Sequence, residues 1–199
     1  MIIGGKDLLN GKRFDKGGYI LTYDYDKWSF IDPKEAQKKL NLPRNPRDYT
    51  SIAVTTDDSN DEIVYASSMG DGVIQYKNGT PVQSYNEKNA FKETAGGYGS
   101  GYCYIDGLAF DKNGNLWMTS SEVNHAVLVL DKAGAWHRLD IEQLRGVYTI
   151  NDILITSTND KWIYVPRNTP KLVMIPNSES LDEVPRMSLL HLLIPTEKN

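Results

Sequence analysis

The chain has 199 residues, of which 22 are basic and 26 acidic, so its formal net charge is −4. This length predicts one domain, and the slight acidic excess argues against nucleic acid or an anionic membrane surface as a partner. Hydrophobic residues make up 40% of the chain, which is enough for a core, and the single cysteine, Cys103, excludes an intrachain disulfide.

Targeting signals are not evident in the sequence. No apolar run approaches the roughly 20 residues that a membrane-spanning helix needs. Residues 1–6 (MIIGGK) are too short and too polar for a signal peptide. We therefore expect no export signal in this chain, which says nothing about a longer parent protein.

The N-terminal part predicts an incomplete β-unit followed by a short helix. Residues 1–5 have the character of a second strand whose first strand is missing, and residues 18–23 and 27–30 form a hairpin that turns at 24–26. Asp32 is the predicted N-cap of a helix with Pro33 at N1 and Glu35 at N3. The helix should run to about Leu40 and lie on the surface, because few of its residues are apolar.

Residues 50–85 predict the first complete four-stranded unit, which consists of two hairpins. A glycine-rich stretch, residues 95–102 (AGGYGSGY), lies in the connection that follows. The favoured interpretation is a flexible link between units, and the alternative is an exposed binding loop in which Tyr98 and Tyr102 stack on sugars. No helix follows, so the glycines do not predict a phosphate site.

Residues 102–140 predict the central unit, with four apolar runs separated by turns. The last unit begins at residue 146, where Pro166 and Pro170 belong to loops or to an edge strand because proline donates no ladder hydrogen bond. Residues 187–194 (MSLLHLLI) form an apolar run that fits either a strand or a short helix.

The units repeat. Ile52, Leu108 and Ile153 occupy equivalent positions, and a four-stranded unit with a period of about 40–50 residues is the signature of a β-propeller blade. We therefore predict an all-β fold, a partial β-propeller of about three and three-quarter antiparallel blades. The predicted blades span approximately residues 1–32, 50–85, 102–140 and 146–175, with a C-terminal extension at 176–199.

Candidate chemical sites are few. The turn at 111–115 (DKNGN) resembles a calcium loop with Glu122 at its twelfth position, but Leu116 stands where such a loop needs glycine, so a hairpin turn is the better interpretation. The scattered histidines, His125, His137 and His191, predict no metal site. Cys103 has no evident histidine partner and is expected to be a small buried residue.

No residue pattern supports catalysis, so we expect no enzyme activity, no cofactor and no metal. The tryptophans recur at equivalent strand positions and are predicted to form blade core rather than sugar platforms; they are Trp28, Trp117, Trp136 and Trp162.

Residues 106–117 (DGLAFDKNGNLW) resemble the repeat of two-component-regulator propellers, in which an Asp-x-x-Gly-Asn turn joins an apolar strand to a Leu-Trp strand. The longer context is more similar to the propeller region of the PorZ family, surface components of the Bacteroidetes type IX secretion system. The residues that carry this similarity are Ser120, Ser121, 127–130 and Trp136, together with Gly4-Gly5-Lys6, Gly18-Tyr19-Ile20 and Lys27-Trp28. The resemblance extends over residues 1–175 and is strongest in the central unit.

The resemblance implies a non-catalytic interaction module of an exported protein that binds a PorU-like surface protein or lipopolysaccharide or another glycan. Its alternative is the periplasmic oligosaccharide-sensing propeller of a hybrid two-component regulator. The chain is much shorter than PorZ-like proteins and lacks their β-sandwich, so we interpret it as a fragment of a propeller. Cutting a propeller leaves apolar blade faces in water, and we therefore expect a homo-oligomer formed through those faces.

Overall fold

The structure, a computed structural model, describes residues 1–3, 14–91, 101–167, 172–181 and 188–190. The first strands and the helix are β1 (Ile2–Ile3), β2 (Tyr19–Asp24), β3 (Lys27–Ile31) and α1 (Pro33–Leu40). The next are β4 (Tyr49–Thr56), β5 (Glu62–Gly70), β6 (Gly72–Lys77) and β7 (Thr80–Tyr85). They are followed by β8 (Cys103–Phe110), β9 (Leu116–Ser120), β10 (Val127–Leu130), β11 (Trp136–Leu139) and a 3-10 turn (Glu142–Leu144). The last are β12 (Ile153–Ile155), β13 (Lys161–Tyr164), β14 (Leu172–Ile175) and β15 (Ser188–Leu190).

The strands form antiparallel meanders that follow one another along the chain. We call β1–β3 the first sheet, β4–β7 the second, β8–β11 the third and β12–β15 the last. The second and third sheets are also joined edge to edge, because β5 is long enough for Met69 and Gly70 to pair with Tyr104 and Cys103. The fold is that of a partial β-propeller, as the repeat predicts.

Three apolar clusters fill the spaces between successive sheets. Ile20 of the first sheet packs with Ile74 and Tyr76 of the second. Val73 of the second sheet belongs to a cluster with Leu108 and other residues of the third. The third cluster joins the third and last sheets; its members include Trp117, Val129, Ile153, Ile163 and Val173. Each sheet therefore buries its faces against its neighbours in chain order, which is how a propeller is stabilised.

The helix follows its predicted start and end. The Asp32 side chain accepts a hydrogen bond from the Lys34 amide at 2.9 Å, which caps the N-terminus. Asn41 adopts a left-handed conformation, with φ of 51°, and ends the helix. Ala36 is buried against the second sheet, while the lysines of the last turn face solvent. Among the described residues, no helix has the length and apolar character needed to cross a membrane.

The third sheet is fixed by the turn at Asp111. The Asp111 carboxylate accepts hydrogen bonds from the amides of Asn113 and Asn115, from the Asn115 side chain and from Trp117 Nε1, each at 2.9 Å. Gly114 takes the positive φ, 84°, that the turn requires. The prediction of a hairpin turn rather than a calcium loop is therefore confirmed.

Hydroxyl groups at one end of the sheets join neighbouring sheets to each other. Thr50 Oγ1 donates to the Ile105 carbonyl at 2.6 Å and so joins the second sheet to the third. Thr119 Oγ1 donates to the Asn151 carbonyl at 2.7 Å and accepts from the Gly107 amide at 2.8 Å. Gly107 is needed there, because a Cβ atom would lie 2.7 Å from the backbone nitrogen of Ile153.

The four tryptophans do not share one environment. Trp117 is buried, at 3% exposure, whereas Trp28 is 59% exposed. Trp136 and Trp162 are half-buried. The prediction that all four form blade core is wrong for Trp28, because no sheet covers that face of β3 in the part of the chain that the structure describes.

The C-terminal apolar run contributes a strand. Of residues 187–194, only 188–190 are described, and they form β15, which pairs antiparallel with β14. The last sheet therefore continues past residue 175, where the sequence placed the end of the last blade. The blade bounds themselves stay a prediction.

Candidate ligand-binding cleft

One end of the second sheet carries a cleft. Because neighbouring strands in a meander run in opposite directions, the β5–β6 turn and the connection that leaves β7 lie at the same end of the sheet. Strand β4 also begins at this end, so the segment that leads into it lies here too. The cleft between these segments has a volume of about 290 Å³. Its lining residues are Leu42, Pro43, Arg44, Asp71, Asn86, Glu87, Lys88, Gly101 and Tyr102.

Tyr102, one of the two predicted sugar-stacking residues, lines this cleft. The guanidinium carbon of Arg44 lies 5.2 Å from the centroid of the Tyr102 ring, within the range of a cation–π interaction. Tyr104 packs edge-on against the same ring at 6.2 Å. Tyr98 lies outside the described residues. The assignment of both tyrosines to a binding site stays a prediction.

Asp71 holds Arg44 in place. Its carboxylate accepts a hydrogen bond from Arg44 Nε at 2.7 Å and another from the Arg47 amide at 3.0 Å. Burial disfavours the charge on Arg44, but the neighbouring Asp71 carboxylate outweighs that effect and raises the pKa of the guanidinium. Arg44 is therefore a fixed cation at the aromatic wall of the cleft.

The tight β5–β6 turn brings Asp71 to this position. Asp71 lies between Gly70 and Gly72, and both glycines have positive φ angles. A Cβ atom on Gly72 would lie 2.1 Å from the Tyr85 carbonyl oxygen, so only glycine permits this approach. A charged residue between two glycines at a strand end is the sequence signal that could have identified Asp71. Nothing comparable marks Arg44.

The opposite rim comes from the turn after β7. The Lys88 amide donates to the Asn86 side chain at 3.0 Å, which shapes the turn. Glu87 reaches towards Gly101, next to Tyr102, because a Cβ atom added to Gly101 would lie 3.5 Å from the Glu87 carboxylate. The cleft thus offers an aromatic ring, two cations, two carboxylates and an amide. Such a set suits recognition of a polar ligand that carries charged groups.

Among the described residues that line the cleft, no catalytic group is evident. Burial is the main cause that raises the pKa of the nearby Cys103 thiol to about 12, which keeps it protonated and a poor nucleophile. Within the described ranges, no three side chains of His, Cys, Asp or Glu are grouped so as to hold a metal ion.

A second, more open cleft of about 640 Å³ lies at the opposite end, between the second and third sheets. Tyr65 and Phe110 form its aromatic wall, with ring centroids 5.9 Å apart. Its lining includes the cations Lys77, Lys112 and Lys132, of which Lys77 is paired with Asp57 at 2.7 Å and with Asp61 at 2.8 Å. Tyr102 does not line this cleft, so the predicted sugar-stacking residue lies at the first cleft and not at the second.

Comparison with known proteins identifies the fold. No protein-family model and no curated protein matches the chain. The chain is similar to the solved structure of PorZ, an essential bacterial surface component of the type-IX secretion system of Porphyromonas gingivalis. The two share 22% sequence identity, with a TM-score of 0.71 over 89% of this chain and 24% of PorZ.

Two extracellular domains from B. thetaiotaomicron are also similar. One belongs to a hybrid two component system, with 17% identity and a TM-score of 0.51 over 84% of this chain and 20% of that one. The other belongs to a one component system, with 17% identity and a TM-score of 0.48 over 67% of this chain and 17% of that one. The chain therefore spans a quarter or less of each of these structures. The resemblance predicted from the repeat is confirmed at the level of the fold.

Proposed function

We propose that this chain is part of a non-catalytic interaction module of an extracytoplasmic protein, exposed at the cell surface or in the periplasm. The observation that carries the proposal is the similarity to PorZ, which extends over 89% of the chain with a TM-score of 0.71. In the parent protein, the module binds either a PorU-like surface protein or lipopolysaccharide or a related glycan. No enzymatic reaction is assigned to it.

The ligand-binding surface of the module is the cleft at Tyr102. An aromatic ring provides a flat apolar surface for one face of a sugar. Arg44 and Lys88 supply positive charge for the phosphate or carboxylate groups of an anionic glycan. Arg44 Nε lies 2.7 Å from Asp71 Oδ1. This ion pair holds the guanidinium in place, which supports a preorganised site.

The second candidate function is oligosaccharide sensing by the propeller of a hybrid two-component regulator. The observation that favours it is the similarity, with a TM-score of 0.51, to the extracellular domain of such a system. The same cleft would then bind a free oligosaccharide rather than a lipid-linked one, and binding would be the input of a signal.

Direct binding tests the site. The chain would be titrated by calorimetry with purified anionic lipopolysaccharide and with its delipidated polysaccharide. Replacing Tyr102 by Ala removes the ring and the cation–π contact with Arg44, so we expect affinity to fall by roughly 5- to 30-fold. Tyr25→Ala is the matched control, because Tyr25 is 95% exposed at the turn of the first sheet.

The outcomes separate the two functions. Binding of intact lipopolysaccharide only supports the surface module, whereas binding of the delipidated polysaccharide and of shorter oligosaccharides supports the sensor. Equal binding by the two tyrosine variants would contradict the placement of the site. If neither glycan binds, a PorU-like protein should be captured by the wild-type chain and not by the Tyr102→Ala variant.

A further inference from the structure

The second cleft has no part in the proposed function, although it is the larger of the two, with a volume of about 640 Å³. Its lining comes from strands of the second and third sheets and from the turns β4–β5, β8–β9 and β10–β11. The volume falls within the roughly 300–1,000 Å³ of typical small-ligand sites. The cleft is therefore large enough to hold a ligand of its own.

The aromatic wall of the second cleft is held in place by further rings. Tyr65 stacks on Tyr85, with ring centroids 6.4 Å apart, and Phe110 meets Tyr65 edge-on. Trp136 packs edge-on against Tyr85 at 5.5 Å. Tyr65 and Phe110 are half-buried and line the cleft, so part of each ring is accessible. A fixed aromatic surface of this kind suits the apolar face of a sugar ring.

Most carboxylates of the lining are occupied by partners within the protein. One oxygen of Asp57 pairs with Lys77, and the other accepts two backbone amides of its own turn. Asp131 lies 3.0 Å from His137 Nε2 and accepts a backbone amide of the β10–β11 turn. Asp58, which is exposed, is the remaining carboxylate of the lining.

Two lysines of the lining lack such partners. Lys112 lies in the β8–β9 turn and Lys132 in the β10–β11 turn, and both are exposed. In the part of the chain that the structure describes, neither ammonium group has an ion-pair partner, whereas Lys77 has two. Their backbones are fixed, because the Lys112 amide donates to the Asn159 side chain at 3.1 Å and the Lys132 amide to the Asn115 side chain at 3.2 Å. The cleft therefore offers a ligand two unpaired cations against one exposed carboxylate.

Gln75 adds an oriented hydrogen-bond donor. Its side-chain oxygen accepts a hydrogen bond from the Tyr85 hydroxyl at 3.0 Å, which leaves its amide nitrogen to donate. That nitrogen has no hydrogen-bond partner among the described residues, although Gln75 is half-buried at the cleft. The polar lining thus presents donors and positive charge, and it suits a ligand that is rich in oxygen acceptors.

We propose that the second cleft binds an acidic sugar, either a uronate or a phosphorylated sugar unit of a glycan. One face of the sugar ring packs on Tyr65 and Phe110, and its carboxylate or phosphate pairs with Lys112 and Lys132. Gln75 donates to an oxygen of the same sugar. The choice of a sugar rests on the proposed function, whereas the charge of the ligand follows from this cleft itself. The site is separate from the first cleft, at the opposite end of the sheets.

Nuclear magnetic resonance tests the site. The isotope-labelled chain would be titrated with digalacturonate, with mannose 6-phosphate and with the neutral disaccharide galactobiose. We expect both acidic probes to shift the amide signals of residues 112–116 and 130–132, and galactobiose to bind more weakly because it carries no charge. Equal affinity for galactobiose and digalacturonate would overturn the role of the lysines.

Two double variants locate the charge effect. Lys112→Gln with Lys132→Gln removes both unpaired cations, so affinity for the acidic probes should fall roughly 5- to 20-fold. Lys38→Gln with Lys39→Gln is the matched control, because it removes the same charge from the last turn of α1, and it should bind as the wild type does. An equal loss in both double variants would mean that only the net charge matters, which would overturn the inference.

The Tyr102→Ala variant separates this inference from the proposed function. Shifts at the second cleft that persist in this variant support an independent site. Shifts confined to the surroundings of Tyr102 would overturn the inference and leave the proposed function in place. Shifts at the second cleft without any at the first would support the inference and contradict the proposed position of the main site. If neither acidic probe shifts a signal of the second cleft, the inference is wrong.

Discussion

At the scale of single residues, Asp111 explains why the Asp-x-x-Gly-Asn turn comes directly before the Leu-Trp strand. Its carboxylate accepts four hydrogen bonds, one of which comes from Trp117 Nε1. The turn and the tryptophan are thus parts of one unit, in which the carboxylate satisfies the only polar atom of a buried indole ring.

Trp117→Ala should lower the free energy of unfolding by about 3–5 kcal/mol, because it removes a large side chain that is 3% exposed. Trp117→Phe keeps a ring under Lys161 but loses the hydrogen bond to Asp111, and should cost about 1–2 kcal/mol. Urea denaturation measures both values. An unchanged unfolding midpoint for Trp117→Ala would contradict the burial of this residue.

Asp111 should also make stability depend on pH. Burial acts to raise its pKa, but the hydrogen bonds from Trp117 and Asn115 outweigh burial, so the pKa is lowered. The stability that the ionised carboxylate provides is therefore complete above the unfolded-state pKa, about 4, and is lost as the pH falls through the lower folded-state value. Asp111→Asn should cost about 1.5–3 kcal/mol at pH 7.

The measurement is the difference in unfolding free energy between wild type and Asp111→Asn from pH 7 to pH 3. The difference should shrink at the acidic end, because the wild type alone loses this contribution. A difference that stays constant over the whole range would show that the charge of Asp111 does not act in this way.

At the scale of the elements, threonine hydroxyl groups keep the sheets in register. Thr119 Oγ1 both accepts from the Gly107 amide in its own sheet and donates to the Asn151 carbonyl, next to the last sheet. Thr50 forms the corresponding link between the second and third sheets. The apolar clusters hold the sheets together, and these directional bonds determine how the sheets are aligned.

Thr119→Val should cost about 2–4 kcal/mol, because it leaves a buried amide and a partly buried carbonyl without partners while preserving side-chain volume. Thr119→Ser retains the hydroxyl group and should restore most of the loss. Thermal unfolding of both variants tests this. If Thr119→Ser destabilises the protein more than Thr119→Val does, the methyl group rather than the hydrogen bonds matters at this position.

The strands, the helix and the Asp111 turn could be predicted because each depends on a short stretch of sequence. The environment of Trp28 could not, because exposure depends on whether another sheet covers that face. Lys161 is a similar case: it is 2% exposed and lies over Trp117, a contact between residues far apart in the chain. At the cleft, glycines indicated the loop of Tyr102, but no local pattern indicated that Arg44 would meet its ring.

At the scale of the whole molecule, stability should be graded along the stack. Counting only the residues that the structure describes, the second and third sheets are covered on both faces, whereas the first and last sheets are covered on one. Strands β5, β9 and β13 occupy equivalent positions in successive sheets, so they form a matched set. At concentrations too low for association, amide hydrogen exchange should be slowest in β5 and β9 and faster in β13.

Mass spectrometry of peptides that contain these strands gives the exchange rates. Equal rates in all three strands would mean that the sheets open together in one cooperative unit, which would contradict the gradient.

The chain-order packing of the sheets also has a consequence for synthesis on the ribosome. The second sheet ends at Tyr85, and its partner across the next cluster is complete only at Leu139. At roughly 5–20 residues per second, translation of that interval takes roughly 3–11 s. For those seconds Val73 and its neighbours have no covering sheet. The nascent chain therefore exposes an apolar surface to which chaperones can bind before each new sheet docks.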